Sequence, residues 1–194
     1  TLAILPLLFA LCACSQTDEA QLSNAEFERM ADPFGPTGGK LLRPSDGKEA
    51  KDVAFIQCAG SRDRSLGVPW CSRVCCMYAL KFAHLLKDKC GHDTEIYNFY
   101  IDMRCFGKGY EEFYKKVQAE GVRMIRGKAG KISELEDKTL VVRAEDTLSG
   151  RMIEMNVEMA ILCMAMEPRK DAQDVARTGP AIQRPAGSRC LHRP

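Results

Sequence analysis

No CxxC pair occurs anywhere in this chain, although 10 of its 194 residues are cysteine. That absence argues against a thioredoxin-like redox pair and against a zinc ribbon built from two such pairs. Charge of one sign is lacking too. The formal net charge is +2, and lysines and arginines are interleaved with acids, so composition gives no argument for nucleic acid. No apolar run reaches the about 20 residues that a membrane-crossing helix needs. The longest, TLAILPLLFALCAC at residues 1–14, turns abruptly polar and has two readings. One is the apolar core of a secretory signal, with LCAC placing Cys14 as a lipidated residue of an exported lipoprotein. The other is a truncated core strand or misassigned start on a cytoplasmic protein, since an initiating Met and a basic flank are missing.

What is present suits one α/β domain. Apolar residues make up 45% and charged residues 28%, enough for a packed core. A polar link at residues 15–24 leads to a short helix, NAEFERMAD, with Asn24 as its cap. Residues 33–51 are dense in Pro, Gly, Ser and Asp and read as loop. DVAFIQCAG at residues 52–60 has the length and continuous apolarity of a buried parallel strand. CSRVCCMYALKFAHLLKDK then repeats Val74, Met77, Leu80 and Ala83 at helical spacing, up to a stop at Gly91. A strand over residues 94–104, a helix over 109–121 and a strand over 122–130 follow. A hairpin turning at Ser149 and Gly150 and a last strand before residue 165 complete the pattern. This alternation predicts a Rossmann-like parallel sheet with a β-meander, like the central domain of thioredoxin-reductase-like flavoproteins. Residues 1–23 form a leader, 24–170 the domain and 171–194 a disordered tail containing Cys190.

Four cysteines carry the chemistry. Cys58 ends the first long strand, and Cys71, Cys75 and Cys76 follow in a Cys-x12-Cys-x3-Cys-Cys pattern. Open α/β sheets bind ligands at strand carboxyl ends, and a helix start favours thiolates. On a continuous helix Cys71 and Cys75 share one face. Four converging thiolates suit a [4Fe–4S] cluster or tetrahedral zinc, and small buried core cysteines are the plain alternative.

The stretches RPSDGKEAKDVAFIQCAGSRDRS, WCSRVCCMYALK, FYIDMRCFGKGYEEFYKKVQAEGVRMIRGK and LVVRAEDTLSG closely resemble the A-subunits of heterodisulfide reductases and their relatives in the quinone-interacting membrane-bound oxidoreductase complex. The likeness is nearly continuous from about Asn24 to Val175. It implies an iron–sulfur flavoprotein of anaerobic metabolism, an electron-transfer oxidoreductase that relays electrons between a cluster and FAD. Carried over, Cys58, Cys71, Cys75 and Cys76 are [4Fe–4S] ligands. The implied partners are other redox subunits of such a complex, with no nucleic acid, and a membrane reached only indirectly or through the leader. The family's GxGxxG turn for FAD, its C-terminal flavin segment and its ferredoxin cysteine motifs do not occur, so the chain reads as a piece with incomplete FAD binding. The alternative is a non-catalytic docking module of a redox complex, stabilised by zinc or a cluster.

Other residues have plainer readings. Gly60, Ser61 and Arg62 stand where a nicotinamide phosphate loop would be, and with one glycine there they read as contacts to the cofactor or as local caps. Gly107 and Gly109 mark a turn and helix start rather than a phosphate loop. His84 reads as a packed histidine, and Glu111 and Glu112 as solvated. Cys105 and Cys163 read as core, as do Met152, Met155, Met159, Met164 and Met166, while Lys48 and Lys51 are surface charge.

Overall fold

The computed structural model describes residues 20–65, 68–91, 93–172 and 174–175. Residues 1–19, with Cys14, and the tail from residue 176 lie outside them. Eight strands and three helices run in the order β1 (Gln21–Ser23), α1 (Asn24–Ala31), β2 (Asp52–Ala59), α2 (Cys75–Cys90), β3 (Glu95–Tyr100), α3 (Tyr110–Ala119), β4 (Arg123–Arg126), β5 (Ala129–Glu134), β6 (Leu140–Asp146), β7 (Arg151–Val157) and β8 (Met159–Met164). Five strands make a parallel sheet in the order β1-β8-β2-β3-β4, and β5-β6-β7 form a separate antiparallel meander.

The parallel sheet is sandwiched between two unlike layers. Val53, Phe55, Ile96 and Ile161 on one face pack with Leu80, Ala83 and Leu86 of α2 and Val117 of α3. Ala54, Ile56, Phe99 and Ala160 on the other pack with Leu140, Val142 and Ala144 of β6. Burial on both faces explains why β2 is apolar almost throughout rather than alternating.

Local differences from the sequence reading have physical causes. The cap of α1 is Ser23, not Asn24: its hydroxyl accepts from Glu26 N (3.3 Å) while Glu26 Oε2 accepts from Ser23 N (2.7 Å). That is a capping box, and Asn24 Oδ1 instead accepts from Met164 N (3.3 Å). Residues 21–23, read as linker, pair with β8 as the sheet edge. The strand expected over 122–130 breaks at Gly127, where β4 leaves one sheet and β5 enters the other. Met152, Met164 and Met166 are 72%, 42% and 57% exposed, so they are not core: Met152 lies on the outer face of β7, and the other two lie at or beyond the end of β8.

The helices on the first face are clamped to each other. His84 Nδ1 lies 2.8 Å from Glu120 Oε2, just beyond α3, and its ring meets Phe113 edge-on. Lys87, buried at 5%, donates from Nζ to Thr94 O (2.7 Å), fastening the end of α2 to the entry of β3. Among the described residues no helix is long and apolar enough to cross a membrane.

The β4–β5 junction gives a stability test. A Cβ at Gly127 would sit 1.9 Å from Glu145 O, whereas one at Gly130 would meet nothing nearer than Arg143 O at 4.0 Å. Gly127→Ala is expected to destabilise by about 1–3 kcal/mol. Gly130→Ala should be neutral or stabilising by up to about 1 kcal/mol through the unfolded chain. Urea unfolding of the two variants measures both, and equal midpoints would contradict the packing described.

Candidate metal centre

The four cysteines of the motif come together at the carboxyl edge of the parallel sheet. Cys58 is the next-to-last residue of β2, inside a register shift between Ile56 and Ala59 in its pairing with β8. Its φ of 60° is left-handed, a conformation that costs a non-glycine residue about 1–3 kcal/mol and that concentrates at functional sites. Arg62 and Arg73 share that conformation, with φ of 60° and 65°. Cys75 and Cys76 begin α2, both buried, whereas Cys71 is half-buried in the loop before it.

Here the expectation from spacing needs correction. The helix begins at Cys75 after the cap residue Val74, not at Cys71, so Cys71 and Cys75 do not share a helical face. The left-handed Arg73 breaks the turn, and Arg73 N donates to Cys71 Sγ (3.3 Å). Val74, placed on the apolar stripe by its spacing, is 43% exposed as a result.

The loop between the first two thiols doubles back on itself. Ser61 and Val68 form a parallel bridge, Val68 N donates to Gly60 O (2.9 Å) and Ser61 Oγ donates to Trp70 O (2.7 Å). Arg62 N reaches the same Trp70 carbonyl at 3.3 Å. Gly60 turns this loop at φ 67°, and Ser61 is 1% exposed, its hydroxyl committed to the closure. Of the three residues expected to touch a cofactor, Arg62 is the one whose side chain faces the thiols, near enough to Cys58 for its charge to oppose the rise of that thiol.

Four chain segments therefore meet. The Cys75 thiol points to Met164 O at the end of β8 (3.9 Å), and the Cys76 thiol to Asp102 O just past β3 (3.7 Å). Burial pushes the Cys58 thiol up, with Arg62 opposing and the nearby Cys71 and Cys75 adding to the rise. Burial likewise pushes Cys76 to about 11, with the Arg104 N–H opposing and Cys58, Cys71 and Cys75 adding to it. Each of the four is thus within electrostatic reach of others in the set. By donor type they fit a thiolate-bound metal or cluster, since the group contains no imidazole and the adjacent Asp102 carboxylate is already paired. Among the described residues no three His, Cys, Asp or Glu side chains converge as closely as a single ion requires.

Outside the motif, Cys163 is fully buried on β8 near Cys75 and is raised by that burial, while Cys90 is half-buried at the far end of α2 and Cys105 is half-buried in the loop between β3 and α3. His84 is held between α2 and α3 rather than at the site. Asp102, Arg104 and Arg73 were not singled out from sequence. Asp102 and Arg104 follow the end of β3 as Cys58 lies at the end of β2, so the strand-end rule that marked Cys58 also marks them. Asp102 binds Arg62 through one carboxylate oxygen and Arg104 Nη2 through the other (3.2 Å). Arg73 is stacked 4.7 Å from the ring centre of Phe106.

No family model matches the chain. Among curated proteins it is 49% identical over 158 residues to the A-subunit of the H2:CoB-CoM heterodisulfide,ferredoxin reductase of Methanothermobacter marburgensis, covering 81% of this chain and 24% of that protein. It is 48% identical over 165 residues to one of the iron-sulfur A-subunits of CoB–CoM heterodisulfide reductase in Methanopyrus kandleri, covering 84% and 25%. Among solved structures, the FAD-bound cadaverine monooxygenase DfoA of Erwinia amylovora matches with a TM-score of 0.51 at 7% identity, over 85% of this chain and 44% of that one, a likeness of fold alone. The chain spans about a quarter of the length of these curated relatives, and over that segment it is a homologue of the heterodisulfide reductase A-subunits.

Proposed function

We propose that Cys58, Cys71, Cys75 and Cys76 hold a [4Fe–4S] cluster that passes single electrons to or from FAD in a longer protein of the heterodisulfide reductase type. The observation that carries this reading is the meeting of the four motif thiols at one strand-end site, in a chain whose relative in Methanopyrus kandleri is named an iron-sulfur subunit. One-electron transfer asks for no acid or base, and the residues act by holding and tuning. The thiolates ligate. The main-chain N–H of Arg73 donates to the sulfur of Cys71 and that of Arg104 lies near Cys76, and N–H groups so placed raise a cluster's potential. Gly60 and Ser61 shape the loop that returns Cys71, and Arg62 faces Cys58 with its guanidinium. The flavin and the other redox subunits belong to the assembly of the longer protein.

Anaerobic reconstitution tests the ligand set. Serine at Cys58, Cys71, Cys75 or Cys76 is expected to abolish or strongly reduce bound iron and acid-labile sulfide, while serine at Cys90, Cys105 or Cys163 leaves both at the wild-type level. Visible absorbance that bleaches with dithionite should track the same division. One zinc per chain with no sulfide would instead establish a zinc-held docking module.

The thiol environment also sets a pH dependence. Cys58 and Cys76 are raised above the ordinary thiol value of 9.0, Cys76 to about 11, so the folded, metal-free chain resists their ionisation. That contribution to stability is intact below 9.0 and lost as pH rises through about 11. The melting temperature of the metal-free chain should fall between those values, and Cys76→Ser should flatten the fall. Ligation needs the thiolates, so iron or zinc uptake should release protons and weaken as pH drops.

A further inference from the structure

The thiol site opens into a cleft of about 470 Å³ lined by Arg62, Pro69, Trp70, Cys71, Arg73, Arg104 and Phe106. Three guanidinium groups on one small cleft repel one another unless each is held. Asp102 holds two of them, one on each carboxylate oxygen, and the Phe106 ring holds the third. These three arginines and one carboxylate leave two positive charges uncompensated beside Cys71. An arrangement that costs mutual repulsion persists where something negative sits opposite; Arg62 acts on Cys58 and Arg104 on Cys71 and Cys76, so a group bound by these sulfurs as thiolates would supply that charge.

We propose that Arg62 and Arg104, oriented by Asp102, are positioning residues that raise the reduction potential of the group bound by Cys58, Cys71, Cys75 and Cys76. The proposal rests on the iron–sulfur reading above. A thiolate-bound cluster is anionic, and one electron taken from a donor such as dithionite makes it more negative by one charge. Fixed cations beside it stabilise the reduced form more than the oxidised form, so they move the potential upward. Distance and screening rank the three. The Arg62 side chain is 23% exposed and its charge acts on Cys58, while the Arg104 side chain is 37% exposed and its charge acts on Cys71 and Cys76. Arg73 lies exposed at the rim, where water and salt weaken it most. Asp102 lowers the net charge by one, yet it fixes the two guanidinium groups that matter in a single place.

The test is a dithionite titration of the anaerobically reconstituted chain, followed by electron paramagnetic resonance, with iron and sulfide measured on each sample. Arg62→Gln and Arg104→Gln are expected to keep the wild-type iron and sulfide content and to titrate at a more negative potential. Arg62→Lys should recover most of the shift, because it restores the charge. Arg73→Gln should shift less, and its shift should shrink as salt is added. Variants of Arg62 and Arg104 that carry a full cluster and titrate with the wild type would overturn the proposal. A wild-type chain that takes up no iron and sulfide would overturn the iron–sulfur reading itself. Should Arg62→Gln lose cluster, Arg104→Gln decides alone, since the Arg104 guanidinium bonds to Asp102 and not to a thiol.

Discussion

The hydrogen bond from the Ser61 hydroxyl to the Trp70 carbonyl is the constraint on which the thiol site depends. Twelve residues separate Cys58 from Cys71, and an extended chain of that length would carry the second thiol far from the first. The bond closes the loop into a narrow return, reinforced by the bridge between Ser61 and Val68. Ser61 is buried where its hydroxyl has no water to fall back on, so losing the bond leaves an unsatisfied group and frees Cys71 together. The left-handed turns at Cys58, Arg62 and Arg73 serve the same closure. Cys58 turns at its own thiol, Arg73 lies two residues from two others, and the packed sheet and helix around them hold the strain.

That loop also shows where sequence reasoning stops. The alternation of β2, α2, β3, α3 and β4 was legible because a parallel sheet covered on both faces needs continuous apolar strands joined by amphipathic helices. The meander was legible from its hairpin turn. The beginning of α2 was not, because periodicity ran through Val74 back towards Cys71, and nothing in residue type announces that Arg73 adopts φ 65°. The cap of α1 was misplaced by one residue although the Ser-x-x-Glu spacing at Ser23 and Glu26 was in plain view. Edge strand β1 has only three residues, too few to show a period.

The thiols of the candidate site were legible in the sequence, and their surroundings were not. Cysteine spacing marks Cys58, Cys71, Cys75 and Cys76, but the residues that bear on them come from a distant stretch of chain. Asp102 and Arg104 lie 40 or more residues beyond Arg62 and Cys58 and meet them only because β2 and β3 are neighbours in register. A charged residue following a strand looks like any solvated residue until that pairing is known. Cys163 is the converse: it was read as core, and it is core, yet its burial on β8 puts it near Cys75.

The strand-ends of this sheet show how one fold serves different ligands. In dinucleotide-binding units the first strand turns through glycines so that a helix N-terminus meets a pyrophosphate, and an acid after the second strand takes the ribose. Here the end of β2 carries Cys58, the turn after it has one glycine, Gly60, and α2 presents Cys75 and Cys76 at the end where phosphate would lie. The acid after β3 is present as Asp102, but both its carboxylate oxygens are taken by Arg62 and Arg104. The partial positive charge of the helix end, useful for a phosphate, is equally useful for thiolates. What changes between the two uses is the turn: a glycine loop admits a ligand's phosphate to the backbone, whereas this closed, strained loop brings the chain's own sulfurs there instead.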